Sequence, residues 1–382
     1  MPRPAGRRPP RVAIFSAATE FGGAERYVET VAADLAARGC VDLTAILTPS
    51  LAAGGHGDAL RSAGIRVITC AAEPAGRLTP ASVAAAGRAV RSARADVVHF
   101  NLGSPRAAQN AMVAAALLRT PRRVATFHLV PALPPASGAR GALKSIARRS
   151  RWALVHEAIA VSHGSAATLV EDHDFPGSRL RVVLNGVEDR ILVHRPARAV
   201  DPARPVVGAL GRLEPQKDLG SLIDAMPTVW KRHPTALLRL AGDGTERDRL
   251  ERRARDVDAA GGRIEFAGAT RDPLGFLARC DVLAMPSLYE GLPFVLLEAM
   301  AVGTPAVASR IPGVTDLADD DTARLVPPRS PAQLGEAISS LLASPERAAG
   351  MADRARRRVQ ERFTQRAMVD GVARLYRVND TA

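Results

Sequence analysis

The stretch of this chain best suited to chemistry is Tyr289-Glu290-Gly291-Leu292-Pro293-Phe294-Val295-Leu296-Leu297-Glu298. An apolar run at 282–286 precedes it. Pro293, with its fixed φ and no N–H to leave unpaired, suits the first position of a helix. The backbone N–H groups of Gly291, Leu292, Phe294 and Val295 would then form an anion pocket, in which unpaired donors and aligned dipoles favour a phosphate and Gly291 allows close approach. Glu290 sits at the mouth of that turn, and Glu298 lies one to two turns into the helix at about 1.5 Å per residue. Two carboxylates beside a phosphate repel it, so the chemistry that fits them is accepting hydrogen bonds from hydroxyl groups, as on a sugar and a ribose. A helix dipole alone accounts for a glutamate at 290 and accounts poorly for one at 298.

Other residues could complete such a site. Arg212 and Lys217 follow the apolar run 206–210, where an arginine fork and a lysine point charge can grip a diphosphate; on so basic a chain the plainer alternative is a solvated turn. Gly22 and Gly23 lie between an apolar run at 12–16 and an amphipathic stretch at 24–38. They let backbone approach a phosphate or simply make a tight turn, and Glu25 suits the following helix start. His128 ends the apolar run 124–127, and His99 and Asn101 stand at the end of the run 97–100. The letters Asp-x-Asp, which hold divalent metal in some enzymes, occur at Asp172-His173-Asp174 and Asp256-Val257-Asp258. The first pair ends a helix before Pro176 and the second lies within a charged helix, so both read as solvated surface and no metal is expected.

The elements that must position these groups follow from the alternation of short apolar runs (12–16, 43–47, 67–69, 97–100, 124–127) with longer amphipathic ones (24–38, 82–92). That alternation indicates a parallel sheet covered by helices. The Pro- and Arg-rich segment 193–204 breaks the pattern and reads as a linker. The alternation then restarts, with apolar runs at 206–210, 236–241, 264–267, 282–286 and 306–309 and helices at 219–231 and 245–258. The expected organisation is a disordered basic tail at 1–11, a first α/β domain at 12–195, a linker at 196–204 and a second α/β domain at 205–361. Two such domains face each other across a cleft at the carboxyl ends of their strands, where open α/β sheets bind ligands.

Bulk properties agree with this division. At 382 residues the chain exceeds what one core usually organises, and 47% hydrophobic content is ample for two. The sparse aromatics, at 4%, and the abundant Ala and Arg fit a GC-rich bacterial genome. The formal charge of +13 attracts nucleic acid, anionic membrane or phosphorylated small molecules without choosing among them. Cys40, Cys70 and Cys280 form no disulfide or zinc pattern, which fits a reducing cytosol. The longest apolar runs, such as 111–118, fall short of a bilayer span, and Glu20 interrupts the signal-peptide-like start.

The stretch from Glu290 to Glu298 resembles the Glu-x7-Glu signature of the retaining GT-B glycosyltransferases, specifically glycosyltransferase family 4. Ordered matches run along nearly the whole chain: Gly22-Gly23-Ala24-Glu25-Arg26, Val161-Ser162, Asn185-Gly186-Val187, the segment 208–217, Ala241-Gly242-Asp243-Gly244, Phe266-Ala267-Gly268 and Gly303-Thr304-Pro305-Ala306-Val307-Ala308. The resemblance implies two Rossmann-like domains, with a C-terminal helix within 362–382 completing the first. It implies sugar transfer from a nucleoside-diphosphate sugar to an acceptor hydroxyl, with retention of configuration and without metal or other cofactor. Donor contacts fall to Gly22, Gly23, Arg212, Lys217, Glu290, Gly291, Leu292, Pro293, Phe294 and Glu298, and His128 to the transferred sugar near the acceptor. Where relatives often carry a second histidine this chain has Asn101, which leaves His99 and Asn101 as weaker acceptor-side candidates.

Arg140, Lys144, Arg148, Arg149 and Arg151 crowd one stretch beside the apolar Leu143, Ile146 and Ala147. They would suit an anionic membrane at the inner face if the acceptor is lipid-linked, and equally a solvated face. Nucleic acid is not expected as a partner. Two rival functions are a sugar-nucleotide epimerase of the same architecture and a non-catalytic basic adaptor for membrane or nucleic acid.

Overall fold

The structure is a computed structural model that describes residues 8–71, 78–134, 138–193 and 203–376. The chain divides into two compact units, Met1–Asn185 with Gln365–Ala382, and Gly186–Thr364. Among the described residues, thirteen strands supply one sheet to each unit.

The first unit holds a seven-stranded sheet in the order β3-β2-β1-β4-β5-β6-β7. Its strands are β1 Arg11–Ser16, β2 Asp42–Leu47, β3 Arg66–Thr69, β4 Val97–Leu102, β5 Arg122–Phe127, β6 Glu157–Ala160 and β7 Leu180–Val182. All neighbours pair in parallel. β4 is buried at every residue, as a central parallel strand covered on both faces must be. Phe15, Phe100, Phe127, Trp152 and Phe175 fill one core against the helices. Trp152 brings its indole N–H in with it by donating to the His173 carbonyl at 2.7 Å. The C-terminal helix Gln365–Tyr376 belongs to this unit and is tied to the first helix, Gly23–Ala37, by Arg38–Asp370 and by Gln365 to Asp34 at 2.9 Å.

The second unit holds a six-stranded sheet in the order β10-β9-β8-β11-β12-β13. Its strands are β8 Val206–Leu210, β9 Leu237–Ala241, β10 Ile264–Gly268, β11 Val282–Met285, β12 Ala306–Ser309 and β13 Arg324–Val326, again all parallel. Its core is built by the helices Leu219–Trp230 and Pro331–Leu342 on Val207, Ala209, Leu238, Leu240 and Ala284.

Several expectations shift. Arg11 belongs to β1 rather than to a tail, because its backbone and guanidinium both bind Asp96; residues 1–7 of that tail lie outside the described residues. The units part at Asn185/Gly186, ten residues before 195, because β7 is the last strand of the first sheet and Val187 already donates to the Phe363 carbonyl at 2.9 Å. Most of the expected linker, residues 196–202, lies outside the described residues, as do 377–382. The second unit runs to Thr364 rather than to 361.

Of the Asp-x-Asp residues, Asp256 is exposed as expected of solvated surface, Asp172 and Asp174 are half-buried, and Asp258 is buried. Asp174 binds Arg148 at 2.6 Å and Ser145 at 2.7 Å, while the Asp258 side chain, 3% exposed, holds Arg263. Both carboxylates are spent on structural pairs. Among the described residues no helix is long and apolar enough to cross a membrane.

Candidate functional site

In each sheet the strand order reverses once, between β1 and β4 and between β8 and β11, and ligands of open α/β sheets bind at such switch points beyond the strand ends. The candidate residues fall at both places.

In the second unit, Arg212 follows β8 and Ser287 to Glu290 follow β11. Arg212 and Ser287 line a small open pocket together with Gly211, Lys217, Leu219 and Pro286, among others. Arg212 is exposed, with no acidic partner among the described residues. Lys217 is not part of a solvated turn: its Nζ lies 2.5 Å from Glu290 Oε1, with the two side chains 19% and 7% exposed. Ser287 Oγ donates to the same oxygen at 2.7 Å. Glu290 is thus a held carboxylate that orients the ammonium, and its hydroxyl-accepting capacity is confined to Oε2. Gln216 locks the two loops together, accepting from the Leu288 N–H at 2.8 Å and donating to the Tyr289 carbonyl at 2.7 Å.

The helix beyond the turn is Phe294–Val302, so Pro293 is its N-cap residue, at φ −72° and ψ 117°, and not its first helical residue. An extended ψ removes it from the first turn. No side chain caps this N-terminus, and the first-turn N–H groups of Phe294 and Val295 point out of it. Gly291 and Leu292 are buried in the turn, and Glu298 is buried within the helix. Gly313, which sequence reasoning missed, backs this turn: at φ +84° a Cβ there would lie 1.8 Å from the Gly291 carbonyl oxygen. Gly242, at φ +141°, meets the Gly211 carbonyl equally closely, which explains why the segment after β9 must be glycine. Ser287, Gln216 and Gly313 carry no motif of their own. The one available signal was adjacency, to the strand end, to Lys217 and to Pro312.

In the first unit, Gly22 is the N-cap of the helix Gly23–Ala37, at φ −155°, and neither Gly22 nor Gly23 has positive φ. A tight turn therefore does not explain the pair. Glu25 lies beneath, its buried carboxylate accepting from Ser16 at 3.1 Å and from the N–H groups of Gly22 and Glu25, with burial raising its pKa above the usual carboxylate range. A phosphate at this loop is left with the amides of Gly23 and Ala24.

His128 follows β5, half-buried, with its Nε2 2.7 Å from Asn101 Oδ1 and the edge of Tyr27 against its ring. Burial lowers its pKa to about 3. His99 is not acceptor-side. It is 1% exposed, its Nδ1 bonded to Tyr376 and its Nε2 to Thr126 at 2.7 Å, and burial lowers its pKa to about 3. Both ring nitrogens are satisfied inside the core.

The basic helix is Gly138–Trp152. Arg148 is bound by Asp174, and Arg151 donates to the Pro105 carbonyl at 3.2 Å and lies over the Trp152 ring, so neither is free for a membrane. Lys144 and Arg149 are exposed beside Leu143 and Ile146, themselves 69% and 61% exposed; the Arg140 side chain lies outside the described residues.

Comparison with known proteins decides the family. Residues 21–190 match the model of Glycosyltransferase Family 4, and residues 193–358 that of Glycosyl transferases group 1. The chain belongs to glycosyltransferase family 4. The family 4 chain is 31% identical to a glycogen synthase of Mycobacterium tuberculosis over 301 residues, 75% of this chain and 69% of that one. It is 34% identical to the lipopolysaccharide core biosynthesis glycosyltransferase LpsE of Rhizobium meliloti over 49% of this chain, and spans about half (52%) of that relative's length. Its fold is that of Anabaena HepE, solved in complex with UDP and glucose, at a TM-score of 0.77 and 21% identity over 97% of this chain and all of that one. The architecture of this family 4 member is therefore GT-B, two Rossmann-like α/β domains.

Proposed function

We propose that this chain moves a sugar from a nucleoside-diphosphate sugar to an acceptor hydroxyl, with retention of configuration and without a metal, in glycolipid or polysaccharide synthesis. The observation that carries the reading is the exposed Arg212 beside the Glu290-held Lys217, both at the strand ends that flank the β8/β11 switch point. The bond from the sugar's anomeric carbon to the diphosphate breaks, that carbon bonds to the acceptor oxygen, and the acceptor proton passes to the departing phosphate. Negative charge grows on the diphosphate during this step, so the held Lys217, the exposed Arg212 and the uncapped turn at Phe294 stabilise the transition state more than the ground state. Glu290 Oε2 accepts a donor-sugar hydroxyl, Glu298 the ribose, and His128 a hydroxyl near the acceptor.

The glycolipid side of the proposal is supported by the role of LpsE in lipopolysaccharide core biosynthesis and by the exposed Leu143 and Ile146 flanked by Lys144 and Arg149. Each basic residue near anionic lipid contributes about 1 kcal/mol, so these two make a weak, reversible contact at the inner face of the membrane. Ligand-observed NMR with UDP-, GDP- and ADP-sugars, followed by transfer assays in excess chelator, tests the reading. One nucleotide sugar should bind and be consumed only when acceptor is present, with full rate in chelator. Binding of none, or conversion to an isomerised nucleotide sugar without acceptor, would sink it.

A further inference from the structure

The ends of β4 and β5 and the start of the helix Gly23–Ala37 meet at a single amide. Asn101 Nδ2 donates to the Ala24 carbonyl at 3.2 Å, and Asn101 Oδ1 lies 2.7 Å from His128 Nε2. The first contact fixes the orientation of the amide, because a carbonyl oxygen can only accept and so must face the nitrogen. The amide oxygen then faces His128, and since it too can only accept, Nε2 must carry a proton. With burial lowering its pKa to about 3, the ring is neutral at physiological pH and carries one proton only. Nδ1 is left as a bare lone pair, with no partner among the described residues and open to solvent.

We propose that Asn101 is a positioning residue that locks His128 as the Nε2–H tautomer, so that His128 meets substrate only as a hydrogen-bond acceptor, at Nδ1. The consequence for substrate rests on the reading of His128 as facing the transferred sugar, whereas the tautomer does not depend on it. An acceptor-only imidazole is complementary to a hydroxyl and has nothing to donate to a phosphate or an ether oxygen. It therefore selects donor sugars that carry a hydroxyl at the facing carbon, and a deoxy sugar leaves Nδ1 desolvated without a partner. The same amide anchors Ala24, so the backbone of the glycine loop and the tautomer of His128 are set by one side chain.

Two variants separate the parts. Asn101→Leu removes both hydrogen bonds at similar volume; Asn101→Asp keeps an acceptor toward Nε2 but cannot donate to Ala24. The readout is the long-range proton–nitrogen NMR pattern of the His128 ring, taken without substrate on the full chain. The wild-type protein should show Nε2 protonated and Nδ1 bare, unchanged from pH 8 to pH 5. At pH 8 Asn101→Asp should retain the protonated Nε2 and bare Nδ1, and Asn101→Leu should move the ring to a mixture of tautomers with kcat reduced about tenfold and donor KM within about twofold of wild type. A wild-type ring protonated at Nδ1, or an Asn101→Leu ring that keeps the wild-type pattern, overturns the tautomer lock. An altered tautomer with unchanged kcat overturns its role in turnover. Because the NMR arm needs no donor, failure of the proposed transfer reaction would leave the tautomer result standing and recognisable as separate.

Discussion

Replacing Gly313 by alanine puts the phosphate-turn reading to a quantitative test. A Cβ at 313 would stand 1.8 Å from the Gly291 oxygen and 3.0 Å from the Glu290 oxygen, and real Cβ contacts below 3.0 Å essentially do not occur. The turn must therefore retreat by about 1.2 Å, since the contacting atom is backbone and no side chain can swing away. A misplacement on the order of 1 Å in a catalytic constellation costs about 10²-fold, or roughly 2.7 kcal/mol of transition-state stabilisation. Alanine at φ +84° also costs about 1–2 kcal/mol of fold stability, which has to be separated from the effect on the turn. Gly262 supplies the control: its φ is +90° and nothing lies within 4 Å of a Cβ there. Gly262→Ala should show the cost of the positive φ alone in urea unfolding, and Gly313→Ala that cost plus the strain of displacing the turn. Only Gly313→Ala should lose about 10²-fold in kcat/KM, with weakened nucleoside-diphosphate binding by calorimetry. Equal kcat/KM in the two variants would refute the claim that the backbone at 290–291 is part of the site.

Three further outcomes are expected. Arg212→Ala and Lys217→Met should each weaken nucleoside-diphosphate affinity by tenfold or more, about 1.4 kcal/mol, and undiminished calorimetric affinity in both would remove the cations from the phosphate site. Glu298→Gln should lower transfer about tenfold, and a wild-type rate would dismiss it as the ribose acceptor. His99 is held neutral in the fold, with its pKa lowered from 6.5 to about 3, so the unfolded chain binds its proton first. The stability gained by keeping it neutral is present above pH 6.5 and is lost as pH falls from 6.5 toward 3, amounting to about 2 kcal/mol between pH 7 and pH 5. His99→Asn should flatten that part of the urea-derived stability profile; an unchanged slope would contradict it.

Fold and site were legible to different depths. Parallel strands buried on both faces are written as unbroken apolar runs, so β8 and β12 and the central strands could be located almost to the residue. Arg212, Glu290 and the glycine turn could be found because they follow such runs. Partnership was not legible. Nothing in the spacing of Lys217 and Glu290, 73 residues apart, says that they form an ion pair, or that Gly313 presses on Gly291. His99 and His128 look alike in sequence, each ending a strand. Only the tertiary fold, which brings Tyr376 and Thr126 to one and Asn101 to the other, makes the first a core residue and leaves the second a free nitrogen. Arg148 and Arg151 likewise read as loose surface charge until Asp174 and the Trp152 ring are placed beside them.

The helix Gln365–Tyr376 also sets an order of synthesis. Tyr376 closes on His99 from 277 residues further along the chain, and Asp370 on Arg38, with the whole second unit translated in between. As the chain emerges from the ribosome, the first sheet forms with the Nδ1 of His99 and the guanidinium of Arg38 awaiting partners, while the second unit, continuous in sequence, is free to fold first to completion. The domain that is begun first is finished last, and in the interval an apolar face of its first helix stands uncovered. Synthesis that stalls or terminates after Thr364 would leave a complete second unit attached to an incomplete first one, a species that chaperones would have to recognise by that bare helix.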